Sequence, residues 1–368
     1  MSADPRRAAL DERVLEWIAE PLWGHDEERF DELALDLFAF QFTHCTPYGR
    51  FCTGRGHTPE SVRSWREVPA IPAGAFKEVA LRSFPEECAA HVFRTSGTSV
   101  ERRGELHLDT LAIYEASLIV PFRRFLLPDL HAGREPLIFS LTPSPAEARD
   151  SSLSHMFAVA IRELGAEGSC FFVSAGELEV DALLEALENP PAERPLLLCG
   201  TSFAFVHLVD ALSDRGARIA LPEAARIMET GGFKGRSRTL PRAEFYACLE
   251  EALGVPVERI VNQYGMTELG SQFYDSALRE PGALRRKLAP PWTRVQTLDP
   301  TTGHEVAAGE AGTIVITDLA NTGSVCTVQT ADLGRRIGEG FEVLGREPGA
   351  EERGCSIAAD ELLATGGA

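Results

Sequence analysis

Glu258-Arg259-Ile260-Val261-Asn262-Gln263-Tyr264-Gly265-Met266-Thr267-Glu268 begins as a strand and ends as a turn that carries chemistry. Ile260 and Val261 are the β-branched residues a buried strand prefers, and Gly265 punctuates the run. Around that glycine a ring, a hydroxyl and a carboxylate fall within one turn. A ring can cover a flat base, a hydroxyl can meet a phosphoryl oxygen, and a carboxylate can hold a divalent cation. The bland alternative is a strand-to-helix turn with a solvated Glu268.

Upstream, four more strand-like runs precede this one: LIFSL (137–141), GSCFFVS (168–174), PLLLCG (195–200) and ARIMET (225–230). Helical spacing separates them, first after Asp109 as a cap, then over 151–164, 179–188, 203–213 and 242–253. Strand–helix alternation predicts an α/β fold, a parallel or mixed sheet flanked by helices. In such sheets ligands gather at the carboxyl ends of strands.

The flanks read differently. Residues 1–85 are mostly helical, with apolar spacing through Val14, Ile18, Phe30, Leu33, Leu37 and Phe40, and end in the Pro-rich VPAIPAGAF. After residue 285 short strands follow one another, GTIVITDL, SVCTVQTADLG and GFEVLGRE, as a β-rich subdomain. The expected segments are a helical 1–85, an α/β core over 86–284, the β-rich 285–350, and a short helical tail over 351–368.

Thirty-six Lys and Arg face 55 Asp and Glu, a net charge of −19, which excludes nucleic acid or an anionic membrane as the general partner. No apolar run is long enough for a signal segment or a membrane span, so a cytoplasmic protein is expected. Eight cysteines without a C-x-x-C pair read as reduced thiols, and His44, Cys45, Cys52 and His57 match no standard zinc spacing. Lysine occurs only at Lys77, Lys234 and Lys287.

Three further stretches invite a phosphate or nucleotide reading. Thr95-Ser96-Gly97-Thr98-Ser99 follows the short strand His91-Val92-Phe93, and its glycine lets backbone approach phosphate while the hydroxyls donate. It is not a Walker A loop, because no G-K-[ST] follows. Thr230-Gly231-Gly232-Phe233-Lys234-Gly235 is a second glycine turn after a strand, with Lys234 in reach of an anion. In Gln329-Thr330-Ala331-Asp332-Leu333-Gly334 the carboxylate of Asp332 can take a diol. Taken singly, each is also an ordinary loop, hairpin or turn.

Taken in order, TSGTS, the GG turn, YGMTE, TADLG and LGRE resemble the core motifs of the adenylate-forming superfamily (acyl-CoA synthetases, adenylation domains, luciferases). The nearest likeness is to the LuxE-type acyl-protein synthetases, with phenylacetate-CoA-ligase-like enzymes behind them. IPAGAFKEVAL, FRTSGTS, TGGFKGRSR, NQYGMTELGSQFYD and RGCSIAADELL carry it from about residue 70 to 363. The resemblance implies ATP and Mg²⁺ as cofactors. Thr95, Ser96, Gly97, Thr98 and Ser99 would form the phosphate loop, Gly231 and Gly232 would line the adenine, and Tyr264, beside Gly265, would stack on it. Thr267 would touch the α-phosphate, Glu268 would hold the metal, Asp332 would bind the ribose, and Arg346 would sit near ribose or phosphate.

The implied fold is the large N-terminal domain of these enzymes, mixed sheets flanked by helices plus a β-rich subdomain, lacking most or all of the small C-terminal domain. That domain supplies a lysine elsewhere in the superfamily, and no lysine lies beyond Lys287 here. Lys234, or else Arg335, Arg336 or Arg346, is the expected substitute. The phosphate loop also lacks the usual G-x-P-K continuation, running on as Ser99-Val100-Glu101-Arg102-Arg103-Gly104. The implied reaction activates a carboxylic acid, a fatty acid by resemblance, to acyl-AMP, then transfers the acyl group to a protein cysteine. Cys355 is the candidate acceptor, preceded by Arg353-Gly354 and opening a short helical stretch, both of which lower a thiol pKa. The other seven cysteines are expected to be structural. An acyl reductase or another acyl acceptor is the implied partner. Two alternatives stay open: an acid–CoA or acid–amine ligase using an external nucleophile, and a non-catalytic acyl- or nucleotide-binding protein.

Overall fold

Apolar spacing at the start of the chain becomes three helices, α1 (Pro5–Ala19), α2 (Glu27–His44) and α3 (Thr46–Gly54). The Pro-rich stretch supplies a two-residue strand, β1 (Ile71–Pro72), and a single helical turn, α4 (Ala75–Glu78). A hairpin, β2 (His91–Arg94) and β3 (Glu105–Leu108), leads to α5 (Ala112–Leu126). Then comes the alternation: β4 (Leu137–Pro143), α6 (Ser152–Leu164), β5 (Cys170–Ser174), β6 (Glu177–Leu178), α7 (Val180–Glu188) and β7 (Leu196–Thr201). It continues through α8 (Ser202–Asp214), β8 (Arg226–Thr230), α9 (Arg242–Leu253) and β9 (Ile260–Tyr264). The last strands are β10 (Phe273–Asp275), β11 (Lys287–Leu288), β12 (Thr293–Leu298), β13 (Gly312–Asp318), β14 (Thr327–Ile337) and β15 (Gly340–Arg346). This computed structural model describes residues 4–95, 102–130, 134–188, 194–231 and 240–346.

The chain forms two compact units, one of residues 1–120, 265–272 and 288 onward, the other of 121–264 and 273–287. In the second, the strand order is β10-β9-β8-β7-β4-β5-β6. The five central strands run parallel, and β10 and β6 join the two ends antiparallel. Parallel strands are covered on both faces, which is why Leu196, Leu197 and Leu198 of β7 are all at 0% exposure despite their alternating directions. Phe205, Leu208 and Leu212 of α8 and Phe245, Leu249 and Leu253 of α9 complete this core. At the end of β7, a Cβ on Gly200 would lie 2.9 Å from the Leu141 Cβ, so only glycine lets β7 and β4 pack this closely.

The carboxyl ends of the second unit's strands are fixed by buried charge. Glu229 on β8 is 2% exposed and accepts from Tyr246 (2.8 Å), Asn262 Nδ2 (2.7 Å) and Ser202 Oγ (2.7 Å). Lys287 donates to the Asn262 carbonyl at 2.7 Å and also to its Oδ1. Asp275 accepts from the Asn262 N–H at 3.0 Å and pairs with Arg285 at 3.3 Å.

In the first unit, β12-β13-β14-β15 is an antiparallel meander, and β1 lies parallel along β14 with Ile71 opposite Val328 and Pro72 opposite Gln329. Gln41, fully buried on α2, accepts from the Cys326 N–H at 2.8 Å and donates to the Asn321 carbonyl at 3.0 Å. Asp109 does not cap α5. It pairs instead with the buried Arg7 at 3.3 Å, while the Thr110 hydroxyl accepts from the Ala112 N–H at 3.2 Å. Arg7, 2% exposed, also pairs with Asp11 at 2.7 Å, and a cation that deep outbids a local cap for its carboxylate.

Burial pushes the Lys287 ammonium down to about 8 from its ordinary 10.5, against the opposing field of Asp275. The folded value lies below the unfolded one, so between those two pH values the unfolded chain binds more protons and stability rises with pH. Replacing Lys287 with Met should cost about 3–5 kcal/mol at neutral pH, because it strips one partner from a buried network. Urea unfolding across pH 7 to 10.5 should show that the rising component belongs to the wild type and is lost in the variant.

Candidate active site

The turn after β9 is held from outside itself. Leu269 N donates to the Met266 carbonyl at 3.2 Å, and Asn321 Nδ2, 1% exposed at the residue level, donates to the Glu268 carbonyl at 2.8 Å. Ser271 Oγ donates to Asp318 at 2.8 Å and accepts from the Trp292 indole at 3.0 Å. The segment continues into strand β10, not into a helix, and Glu268 is only 7% exposed. Its carboxyl is therefore not the solvated end of a turn. Burial pushes it up to about 7 from 4.5, while its own backbone N–H, Arg346 and Lys77 pull it down and Asp332 pushes it up. A buried carboxylate with so little donor support is costly unless a cation compensates it.

Asp332 and Arg346 are register partners on β14 and β15, with Arg346 Nε 3.9 Å from Asp332 Oδ1. The Asp332 N–H donates to Thr330 Oγ1 at 3.1 Å, and that hydroxyl donates to the Ile314 carbonyl at 2.9 Å. The ladder slips beside them, between Leu333 and Gly334. A Cβ on Gly334 would lie 2.6 Å from the Glu342 carbonyl oxygen, so a glycine is required where the ladder slips.

Thr95 directly follows β2 and pairs with Gly104, which precedes β3. Its N–H donates to the Gly104 carbonyl at 2.9 Å, and its Oγ1 accepts from the Gly104 N–H at 2.9 Å, leaving the hydroxyl proton to donate. Arg103 Nε donates to the Thr95 carbonyl at 2.6 Å.

In the second unit Gly231 follows β8 in the left-handed region, φ +80°, with nothing within 4 Å of where a Cβ would stand. Ser202 Oγ reaches its carbonyl at 3.2 Å and Glu229 at 2.7 Å, so the polar network described above also anchors this turn. Thr230 Oγ1 donates to the Gln263 carbonyl at 3.2 Å, tying β8 to β9 one residue before Tyr264. The Tyr264 ring stands 6.2 Å from that of Phe273, tilted at 45°.

Ser96, Gly97, Thr98, Ser99, Gly232, Lys234 and Cys355 lie outside the described residues. Of the substitute cations considered from sequence, Arg335 pairs with Glu342 at 2.7 Å, Arg336 with Glu305 at 3.2 Å, and Arg346 faces Asp332. Cys45, Cys52 and Cys326 are buried, and burial pushes their thiols up to about 11, about 12 and about 12. Cys88 and Cys170, however, are exposed, so not all seven remaining cysteines are core residues. Burial, with Glu179, pushes the Cys170 thiol up, away from a reactive thiolate. Asn321, Ser202 and Glu229 escaped sequence reasoning because no motif marks them. Of the three lysines the sequence offers, Lys234 lies outside the described residues, Lys287 is buried in the network at Asn262, and Lys77 is partly buried on α4.

Comparison with known proteins decides the family. The model of the acyl-protein synthetases, LuxE, matches residues 7–364. The chain belongs to that family. It is thus an AMP-forming acyl-protein synthetase, an enzyme of ATP-dependent acid activation and acyl transfer. A long-chain-fatty-acid–luciferin-component ligase of Aliivibrio fischeri is 22% identical over 357 residues, 93% of this chain and 91% of that one. Among solved structures, 2-hydroxyisobutyryl-CoA ligase with 2-HIB-AMP, in the postadenylation state, is 18% identical with a TM-score of 0.64, over 88% of this chain and 69% of that one. An open conformation of the same ligase, with 2-HIB-AMP and CoA, gives 16% and 0.62 over 87% and 70%. The fold of this chain therefore matches the N-terminal domains of adenylate-forming enzymes. Among the described residues no helix is long and apolar enough to cross a membrane.

Asn321 should be the support on which the Glu268 turn rests. Asn321→Leu keeps the volume but leaves the Glu268 carbonyl without that donor, a loss of about 1–3 kcal/mol in thermal or urea unfolding. The initial rate of Mg-ATP-dependent pyrophosphate release should fall with it, and an unchanged rate at unchanged stability would show that the turn does not need this bond.

Proposed function

We propose that this family member activates a long-chain fatty acid as its acyl-adenylate and passes the acyl group to its own Cys355. The observation that carries the adenylation site is the buried, under-supported carboxylate of Glu268, in the same compact unit as Asp332 and Thr95. A carboxyl that burial and Asp332 hold up at about 7 even in the fields of Arg346 and Lys77 fits a divalent metal better than it fits empty space. Glu268 would hold Mg²⁺, which when bound neutralises phosphate charge.

The remaining work falls to the chain. Thr95, Ser96, Gly97, Thr98 and Ser99 donate to phosphate oxygens, and Thr267 meets the α-phosphate. Tyr264 offers its ring to the adenine, Gly231 and Gly232 give it open backbone, and Asp332 accepts from the ribose hydroxyls beside Arg346. Lys234 is the cation proposed in place of the superfamily lysine. The substrate carboxylate attacks the α-phosphorus and pyrophosphate leaves, so positioning and charge carry the rate. The Cys355 thiolate then attacks the acyl carbonyl and AMP departs. The fatty acyl substrate is supported by the Aliivibrio fischeri relative, and transfer to protein by the family's description. An acyl reductase is the partner this chemistry would serve.

Pyrophosphate release and intact mass, read together over a panel of acids with Mg-ATP, test the proposal. A hydroxylamine-labile adduct of acyl mass should form with long-chain acids and vanish in Cys355→Ser, which should still release pyrophosphate. Product that forms only when CoA or an amine is added would overturn the own-cysteine acceptor.

A further inference from the structure

Lys77 stands where, among the described residues, the fold pairs no carboxylate with its ammonium. Strand β1 is laid along β14 by the pairs Ile71–Val328 and Pro72–Gln329, and the Ala73 N–H donates to the Gln329 carbonyl at 2.9 Å. Helix α4 starts two residues later, and β14 reaches Asp332 three residues beyond that same Gln329. On its other side α4 abuts the Thr95–Gly104 pair. A Cβ built on Gly104 would lie 3.1 Å from Thr95 Cγ2 and 3.5 Å from the Cβ of Phe76, the residue before Lys77. The helix therefore sits between that pair and the strand bearing Asp332, all within one compact unit.

The neighbouring cations are matched. Arg94 pairs with Glu105 at 2.8 Å, Arg102 with Glu78 at 2.8 Å, and Arg103 donates to the Thr95 carbonyl at 2.6 Å. Arg346 faces Asp332 at 3.9 Å. Lys77, partly buried, makes no side-chain hydrogen bond or ion pair with a described residue, although its field reaches Glu268. It is also the sole lysine in residues 1–120, 265–272 and 288–368. A compact ammonium on a flexible stem suits the crowded oxygens of a triphosphate, where no planar fork is required.

We propose that Lys77 is a catalytic cation of the adenylation step, binding the β- and γ-phosphate oxygens of ATP, a role that rests on the adenylation reading above. As the acid's carboxylate oxygen bonds to the α-phosphorus, the bond from that phosphorus to the bridging oxygen breaks. The electron pair leaves with pyrophosphate, and nothing is oxidised or reduced. Lys77 keeps its proton and neutralises the departing charge. It thereby fills the place of the lysine missing from the G-x-P-K continuation of the loop.

The test is ATP–pyrophosphate exchange with a long-chain acid, run on wild type, Lys77→Met, Lys77→Arg and Arg102→Ala, beside transfer from synthetic acyl-AMP to Cys355. Lys77→Met should lower exchange by about 10²–10³-fold, Lys77→Arg should recover part of it, and Arg102→Ala should stay near wild type. Transfer from synthetic acyl-AMP involves no triphosphate and should be unchanged in Lys77→Met. Exchange within threefold of wild type in Lys77→Met would overturn the role, as would an equal loss in both half-reactions, which marks a structural residue. Absence of exchange in the wild type with every acid would overturn the adenylation reading itself, and this role with it.

Discussion

Two buried carboxylates at strand ends define what the fold supports and what it leaves for a ligand. Glu229, 2% exposed, is tolerated because Ser202, Tyr246 and Asn262 all donate to it. Those donors come from α8, α9 and β9, so satisfying one charge locks three elements around the end of β8. Lys287, Asp275 and Arg285 extend the lock, and the turn at Gly231 inherits it through Ser202.

Glu268 is the opposite case. Its carbonyl is supported by Asn321, but its carboxyl has only its own backbone N–H to lower its pKa, besides the distant fields of Arg346 and Lys77. One buried carboxylate has its charge met by three side-chain donors, and the other does not. Burial distinguishes neither, since both are nearly inaccessible. The donor count is what separates the two.

Much of this architecture was legible along the chain. The runs at 137–141, 195–200, 225–230 and 258–265 became β4, β7, β8 and β9, and the helical spacing over 242–253 became α9 with those bounds. Such elements announce themselves because apolar runs and helical periodicity are local properties. Asp109 was misread for the complementary reason: the local cap rule was correct as a preference, but Arg7, about a hundred residues away, needed the carboxylate more. The exposed Cys88 and Cys170 tell the same story, since a cysteine's neighbours cannot be read from its flanks.

The sequence by itself determined the strands and helices of the α/β core, their order and, through five ordered motifs, the family. Those depend on short-range backbone preference and on the order of residue types along the chain. Tertiary structure alone decided that Glu268 is buried and under-supported, that Thr95 pairs with Gly104, and that Lys77 lies beside that pair with no carboxylate paired to it among the described residues. Burial, charge pairing and field strength depend on which residues meet across hundreds of positions, and no local pattern encodes them.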